Sequence, residues 1–380
     1  MAAYVGVATA CALLVAPAPA QADNVRDKQW HLNELRVRTA WHESTGKGVV
    51  VAVVDSGVDA THPDLKGQVL PGIDLVDKGG DGRTDDVGHG TTTAALIAGR
   101  HDKAGVVGLA YDTKILPVRV LDGKNRYEDA KTVADGVRWA VDHGAQVVNL
   151  SLGGATESSD LAGAIQYAYD HDVVVVACGG NVGVEDTDQI WYPAREPGVV
   201  AVTGLGRDGQ FWKKSLYGPE SVVSAPAEKL VGAKPGGYWR VQGTSFAAPL
   251  VSATAALIRS YWPDMTAPNV VNRLIRTARD LGPEGRDDKY GFGVVDPVRA
   301  LENPVTSVKS NPLDLTPPSR SPSARWSSSP GPKAIAEQEQ TYSLGWWWLV
   351  IWGCVGAGGG AGAIAVIAAR RRGKNPFIGG

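Results

Sequence analysis

With only three cysteines in 380 residues, the chain cannot be held by a disulfide framework. Cys11 falls in a segment expected to be removed and Cys354 in an expected membrane span, so Cys178 stands alone in the soluble part and the fold must rest on packing. An excess of charge of one sign is missing as well. The 38 Lys and Arg residues nearly balance 40 Asp and Glu, and there is no long basic block, which argues against a nucleic-acid partner. What is plentiful is apolar material: 43% of the chain is hydrophobic, enough for a substantial core in one large domain or two ordinary ones.

Residues 1–6 lack the Lys or Arg usual at the start of a secretory signal, but residues 4–16 are apolar and lead into Ala18-Pro19-Ala20-Gln21-Ala22, with two overlapping small-x-small cleavage sites. Residues 1–22 therefore read as a signal peptide. About 26 residues separate it from the first expected strand, too few for a folded inhibitory pro-domain of ordinary size. At the other end, residues 346–369 are apolar or small throughout and followed by Arg370-Arg371-Arg372-Gly373-Lys374. This reads as a transmembrane helix with a basic cytoplasmic tail, residues 370–380, which places everything before it outside the cell. Trp346, Trp347, Trp348 and Trp352 fit the outer interface, and the four-residue spacing of Gly356 with Gly360 and of Gly358 with Gly362 would let a partner helix approach closely or simply make a small-residue anchor. Pro and Ser dominate residues 303–333, so 303–345 reads as an extended linker and 23–302 as the globular domain.

Within that domain, buried-strand patterns at 49–54, 115–120, 147–150, 173–177 and 199–202 alternate with helical patterns at 91–99, 130–143, 158–171 and 246–262. Such alternation predicts an α/β fold with a central parallel sheet covered by helices on both faces, its chemistry at the carboxyl ends of the strands. Three places carry residues suited to chemistry there. Asp55 ends the first apolar run; His89 sits between Gly88 and Gly90 before a helix; Ser245 opens a long apolar helix in Gly243-Thr244-Ser245-Phe246-Ala247-Ala248-Pro249. The helix start favours the negative charge that develops when a serine attacks a carbonyl, and Pro249 is expected in the tolerant first turn. Asp59, Asp64 and Asp74 read as turn residues, the other six histidines as surface or structural, and Asp77, Asp81, Asp85 and Asp86 as a solvated loop without recognisable calcium-ligand spacing.

Taken together, Val54-Asp55-Ser56-Gly57-Val58, Gly88-His89-Gly90-Thr91 and Gly243-Thr244-Ser245-Phe246-Ala247-Ala248-Pro249 resemble the subtilisin-like serine proteases, the subtilases or peptidase family S8, in the family's Asp, His, Ser order. The resemblance implies a three-layer subtilisin-like fold and a triad in which Ser245 is the nucleophile, His89 the general base and Asp55 its orienting partner. It implies that Asn181, in Cys178-Gly179-Gly180-Asn181, lines the oxyanion hole with the Ser245 N–H. Ser151-Leu152-Gly153 would pair backbone to backbone with an extended peptide, and Cys178 and Gly179 would line the pocket for the side chain before the scissile bond. No cofactor is required; a structural calcium occurs in such proteins but is not predicted here. The membrane tether, with Arg26-Asp27-Lys28-Gln29-Trp30 and Ala40-Trp41, looks like the mycosins, subtilases tied to type VII secretion in actinobacteria. Protein substrates, a membrane and components of a secretion complex are the implied partners. A mainly structural subunit of that complex and a general surface quality-control protease stay open as alternatives.

Overall fold

Strands made of uninterrupted β-branched residues have two apolar faces, and such strands settle in the middle of a parallel sheet. The computed structural model describes residues 23–77, 79–102 and 104–314, with the backbone of 337–342. Its main sheet contains β1 (Val50–Asp55), β2 (Ile73–Asp74), β3 (Lys114–Arg119), β4 (Val147–Leu150), β5 (Val174–Cys178), β6 (Val200–Leu205) and β7 (Val223–Pro226). They lie in the order β2-β3-β1-β4-β5-β6-β7, and every pairing is parallel. Because the chain passes from β3 over β1 to β4, the strand order reverses at β1. That reversal opens a crevice at the carboxyl ends, where Asp55, Leu150 and Cys178 stand.

After three short N-terminal helices, α1 (Asp23–Arg26), α2 (Trp30–Glu34) and α3 (Val37–Ala40), come α4 (His89–Ala98), α5 (Ala130–Asp142) and α6 (Ser159–Asp170). The last three among the described residues are α7 (Thr244–Tyr261), α8 (Ala267–Thr277) and α9 (Pro297–Glu302). Helices α5 and α6 pack against each other over one face of the sheet, α4 and α7 over the other. The two pairs differ in sequence as they must. In α5, Ala130, Val133, Ala134, Val137, Ala140 and Val141 form one buried stripe, and the Asp129 carboxylate caps the start by accepting from Thr132 N at 2.7 Å. Helix α7 is apolar or small all round and is buried from Thr244 through Arg259.

The expected strands and helices recur within a few residues of their forecast bounds. The antiparallel hairpin of β8 (Leu230–Lys234) and β9 (Gly237–Gln242), α8 and α9 are not among the expected elements, although in α8 Ala267, Val270, Val271, Leu274 and Ile275 recur at helical spacing on the buried face. The expected linker also needs correction. Residues 303–314 lie on the body: Asn269 and Asn272 of α8 hold the backbone of Val308 and Thr306, and Asn311 and Leu313 bond to Gly198. Further on, β10 (Glu337–Tyr342) pairs antiparallel with β9, supplying partners to backbone groups that an open edge would leave bare.

Residues 23–44 form a strap rather than a separate domain. Gln29 exchanges two hydrogen bonds with Val107, Trp41 Nε1 donates to Leu109 O, and Glu34 pairs with Arg279. The expected signal peptide, membrane span and cytoplasmic tail lie outside the described residues. Among the described residues, no helix is long and apolar enough to cross a membrane.

Candidate active site

Strand β1 delivers Asp55 to the crevice with no solvent exposure. A buried carboxylate needs partners, and its Oδ1 accepts from Ser56 N at 2.7 Å and from His89 Nδ1 at 2.8 Å. Thr93 Oγ1 reaches Oδ2 at 3.4 Å. With Nδ1 donating, the neutral imidazole presents Nε2 as an acceptor, and Nε2 is buried without a protein partner. Burial pulls the His89 pKa down, but the charge and hydrogen bond of Asp55, with a smaller push from Asp85, outweigh it and hold the pKa above the usual 6.5.

His89 is the first residue of α4, and the start of that helix is clamped from the acidic loop. Asp85 Oδ1 accepts from Ser56 Oγ, Val87 N and Gly88 N, while Oδ2 accepts from Thr91 N and Thr91 Oγ1, all at 2.6 to 3.0 Å. The expected solvated loop is thus corrected at this residue: Asp85 is buried, and one carboxylate ties the end of β1 to the first turn of α4. Its pKa lies above the ordinary carboxylate range because burial outweighs those hydrogen bonds. Asp77 pairs with Arg119, which also holds Asp74. No group of three or more potential metal ligands occurs among the described residues. Gly90 has to be glycine, since a Cβ there would stand 2.0 Å from Gly57 O and 3.2 Å from Asp55 Oδ1.

Ser245 is the second residue of α7, where backbone N–H groups have no intrahelical carbonyl. Pro249 does not lie in that first turn as expected. It is inside the helix and lacks the N–H that would bond the carbonyl of Ser245. Ser151 supplies the replacement: its Oγ donates to Ser245 O at 2.6 Å, accepts from Asn149 Nδ2 at 2.9 Å, and Asn149 Oδ1 accepts from Ser252 Oγ at 2.9 Å. These side chains are fully buried and mutually satisfied, so the relay fixes α7 to β4 directly under the candidate nucleophile. Sequence reasoning passed over it, although an Asn inside the apolar strand Val-Val-Asn-Leu was a signal.

Asn181 follows β5, and its Oδ1 accepts from Thr244 N at 3.0 Å and from Thr244 Oγ1 at 3.2 Å. Its oxygen is therefore committed, and the amide NH₂ is the end left to donate. Ser245 Oγ is turned toward Cys178 Sγ, at 3.8 Å, while the ring of the next residue, Phe246, packs 5.0 Å from that of His89. The Cys178 thiol is fully buried, and burial pushes its pKa up to about 11, which makes it an inert neighbour. Ser151 and Leu152 bury their side chains, so the 151–153 segment can offer a peptide only backbone.

The arrangement suits acyl transfer. A base raised above its ordinary pKa, a hydroxyl at a helix start and an amide donor beside it are the parts that attack on a carbonyl requires. Ser245 Oγ is directed to Cys178 Sγ while His89 Nε2 has no partner, so the two are not yet hydrogen-bonded to each other; such contacts commonly tighten once substrate arrives.

The chain is similar to known proteins over most of its length. Residues 46–293 match the model of the Peptidase S8 subtilase family. Fervidolysin from Fervidobacterium pennivorans is 34% identical over 315 residues, 74% of this chain, but the chain spans only 45% of that protein's length. Mycosin-1 from Mycolicibacterium smegmatis is 34% identical, covering 73% of each chain. Among solved structures, MycP1 from Mycobacterium smegmatis superposes with a TM-score of 0.67 at 30% identity, covering 81% of this chain and 91% of that one.

Proposed function

Since the chain belongs to the subtilase family and is a serine endopeptidase related to the mycosins, we propose that Asp55, His89 and Ser245 work as its triad at the outer face of a membrane, cutting extended segments of secreted proteins. The observation that carries the catalytic part is the buried His89–Asp55 bond of 2.8 Å beside Ser245 at the head of α7. Ser245 attacks the scissile carbonyl and passes its proton to His89 Nε2. Asp55 holds the imidazolium that results, and the oxyanion draws on Asn181 Nδ2 and Ser245 N–H. The acyl-enzyme then forms as His89 returns the proton to the leaving amine, and water repeats the sequence to release the acid. A peptide would lie along the backbone of residues 151–153, with Cys178 and Gly179 beside the side chain that precedes the cut. No cofactor takes part in these steps.

Anchoring rests on the apolar run 346–369 with its basic flank, and a role beside a type VII secretion complex rests on the likeness to Mycosin-1 and to a MycP1 described as coming from the ESX-1 type VII secretion system. A fluorophosphonate should label the wild type at Ser245 and leave Ser245→Ala unlabelled. Equal labelling of both would remove the triad. Membrane fractions should retain the full chain and lose a chain ending at residue 345; retention of the shortened chain would remove the anchor.

A further inference from the structure

Two segments follow the carboxyl ends of β4 and β5, residues 151–154 and 178–181, and the backbone of 190–192 runs between them. Gly154 and Tyr192 exchange two hydrogen bonds of 2.9 and 2.8 Å, and Trp191 N donates to Gly179 O at 3.0 Å. The slot they bound lies against the candidate nucleophile, because Cys178 and Asn181 of one wall touch Ser245 and Thr244. An indole fills it. A Cβ on Gly180 would come within 2.5 Å of Trp191 Cδ2, and one on Gly153 within 3.2 Å of Trp191 Cβ. The wall at Gly180 is thus pared to glycine to admit the ring, whereas Gly153 is required by the backbone, since a Cβ there would stand 2.5 Å from Tyr192 O; Trp191 keeps 1% of its surface exposed.

The ring is held at a cost. Its Nε1 is buried with no hydrogen-bond partner, whereas a purely space-filling position would favour an aromatic without an N–H. We propose that Trp191 is the floor of the subsite for the side chain preceding the scissile bond and restricts that side chain to glycine, alanine or serine. The inference rests on the serine endopeptidase reading and adds its specificity. A protein interior does not absorb a further large side chain without displacing one already packed, so a leucine or phenylalanine there meets the indole.

The test uses full-length protein and internally quenched peptides that differ only in the residue before the cut (Ala, Leu or Phe), with cleavage positions read by mass spectrometry. Wild type should favour Ala over Phe on the order of 10²-fold in kcat/KM. Trp191→Gly should reverse the ratio, and Trp191→Phe, which keeps most of the bulk and removes the N–H, should preserve it. Comparable cleavage of Phe and Ala peptides by wild type would overturn the proposal, as would an Ala preference that survives in a Trp191→Gly protein reactive toward fluorophosphonate. Should Trp191→Gly fail to fold, the wild-type ratio decides. Fluorophosphonate labelling separates the two readings: a labelled enzyme without the preference sinks only the pocket floor, and an unlabelled one sinks both.

Discussion

Around Asp55 and the Nδ1 side of His89 the polar groups are engaged before any substrate arrives, whereas around Ser245 the backbone is fixed and the hydroxyl meets only a thiol. On the first side stand the 2.8 Å Asp55–His89 bond and the five donors gathered by Asp85. On the second, the Ser151–Asn149–Ser252 relay pins the carbonyl of Ser245, yet Oγ faces the Cys178 sulfur at 3.8 Å and His89 Nε2 has no partner. The difference teaches where the work of orientation is done in advance under the proposed mechanism: His89 is placed and tuned by folding, and Ser245 would complete its alignment with substrate.

His89→Ala removes the base itself and should lower kcat/KM by roughly 10⁴- to 10⁶-fold, read with a quenched peptide; a loss below about tenfold would mean that the prepared half is not catalytic. Asp85→Ala attacks the same half indirectly. It strips the acceptor from five donors, four of them buried, so unfolding free energy should fall by about 2–4 kcal/mol in urea titration, with kcat falling alongside. Unchanged stability would show that the clamp is not needed. Cys178→Ser tests the looser half: a hydroxyl should hold Ser245 Oγ more firmly than a thiol, lowering kcat about five- to tenfold without affecting stability greatly. An unchanged kcat would mean that Cys178 does not compete for the nucleophile.

The smallest effect on catalysis is expected at His31, in the strap and remote from both halves. Both ring nitrogens are buried without partners, and burial lowers its pKa from 6.5 to about 3. Folding therefore keeps His31 neutral while the unfolded chain takes up a proton, so its contribution is intact above pH 6.5 and declines toward pH 3 by about 1.4 kcal/mol per unit. His31→Leu should flatten that acid decline in thermal melts and leave kcat alone. An undiminished acid decline would show that another group causes it.

Much of the scaffold could be read from the sequence, because buried parallel strands and an all-round apolar helix leave local patterns. Val-Val-Asn-Leu of β4 and the core-buried α7 are examples. Asp55, His89 and Ser245 stood out through their neighbours, Gly90 above all, whose missing side chain is what lets α4 approach Asp55. What escaped depends on contacts between distant residues. Asp85 looked like one more surface acid until Ser56 and Thr91 closed on it. The Pro- and Ser-rich composition after residue 302 hid a stretch held by asparagines of α8. Trp191 carries no motif, and only its packing against Gly180 beside the site points to the role proposed for it.

The most direct test of a prepared base awaiting its nucleophile is the rate at which phenylmethylsulfonyl fluoride modifies Ser245 as pH is varied. The rate should climb with pH as His89 loses its proton, with a midpoint above 6.5 because Asp55 stabilises the imidazolium, and His89→Ala should abolish the climb. A rate independent of pH, or equal in wild type and His89→Ala, would contradict the account.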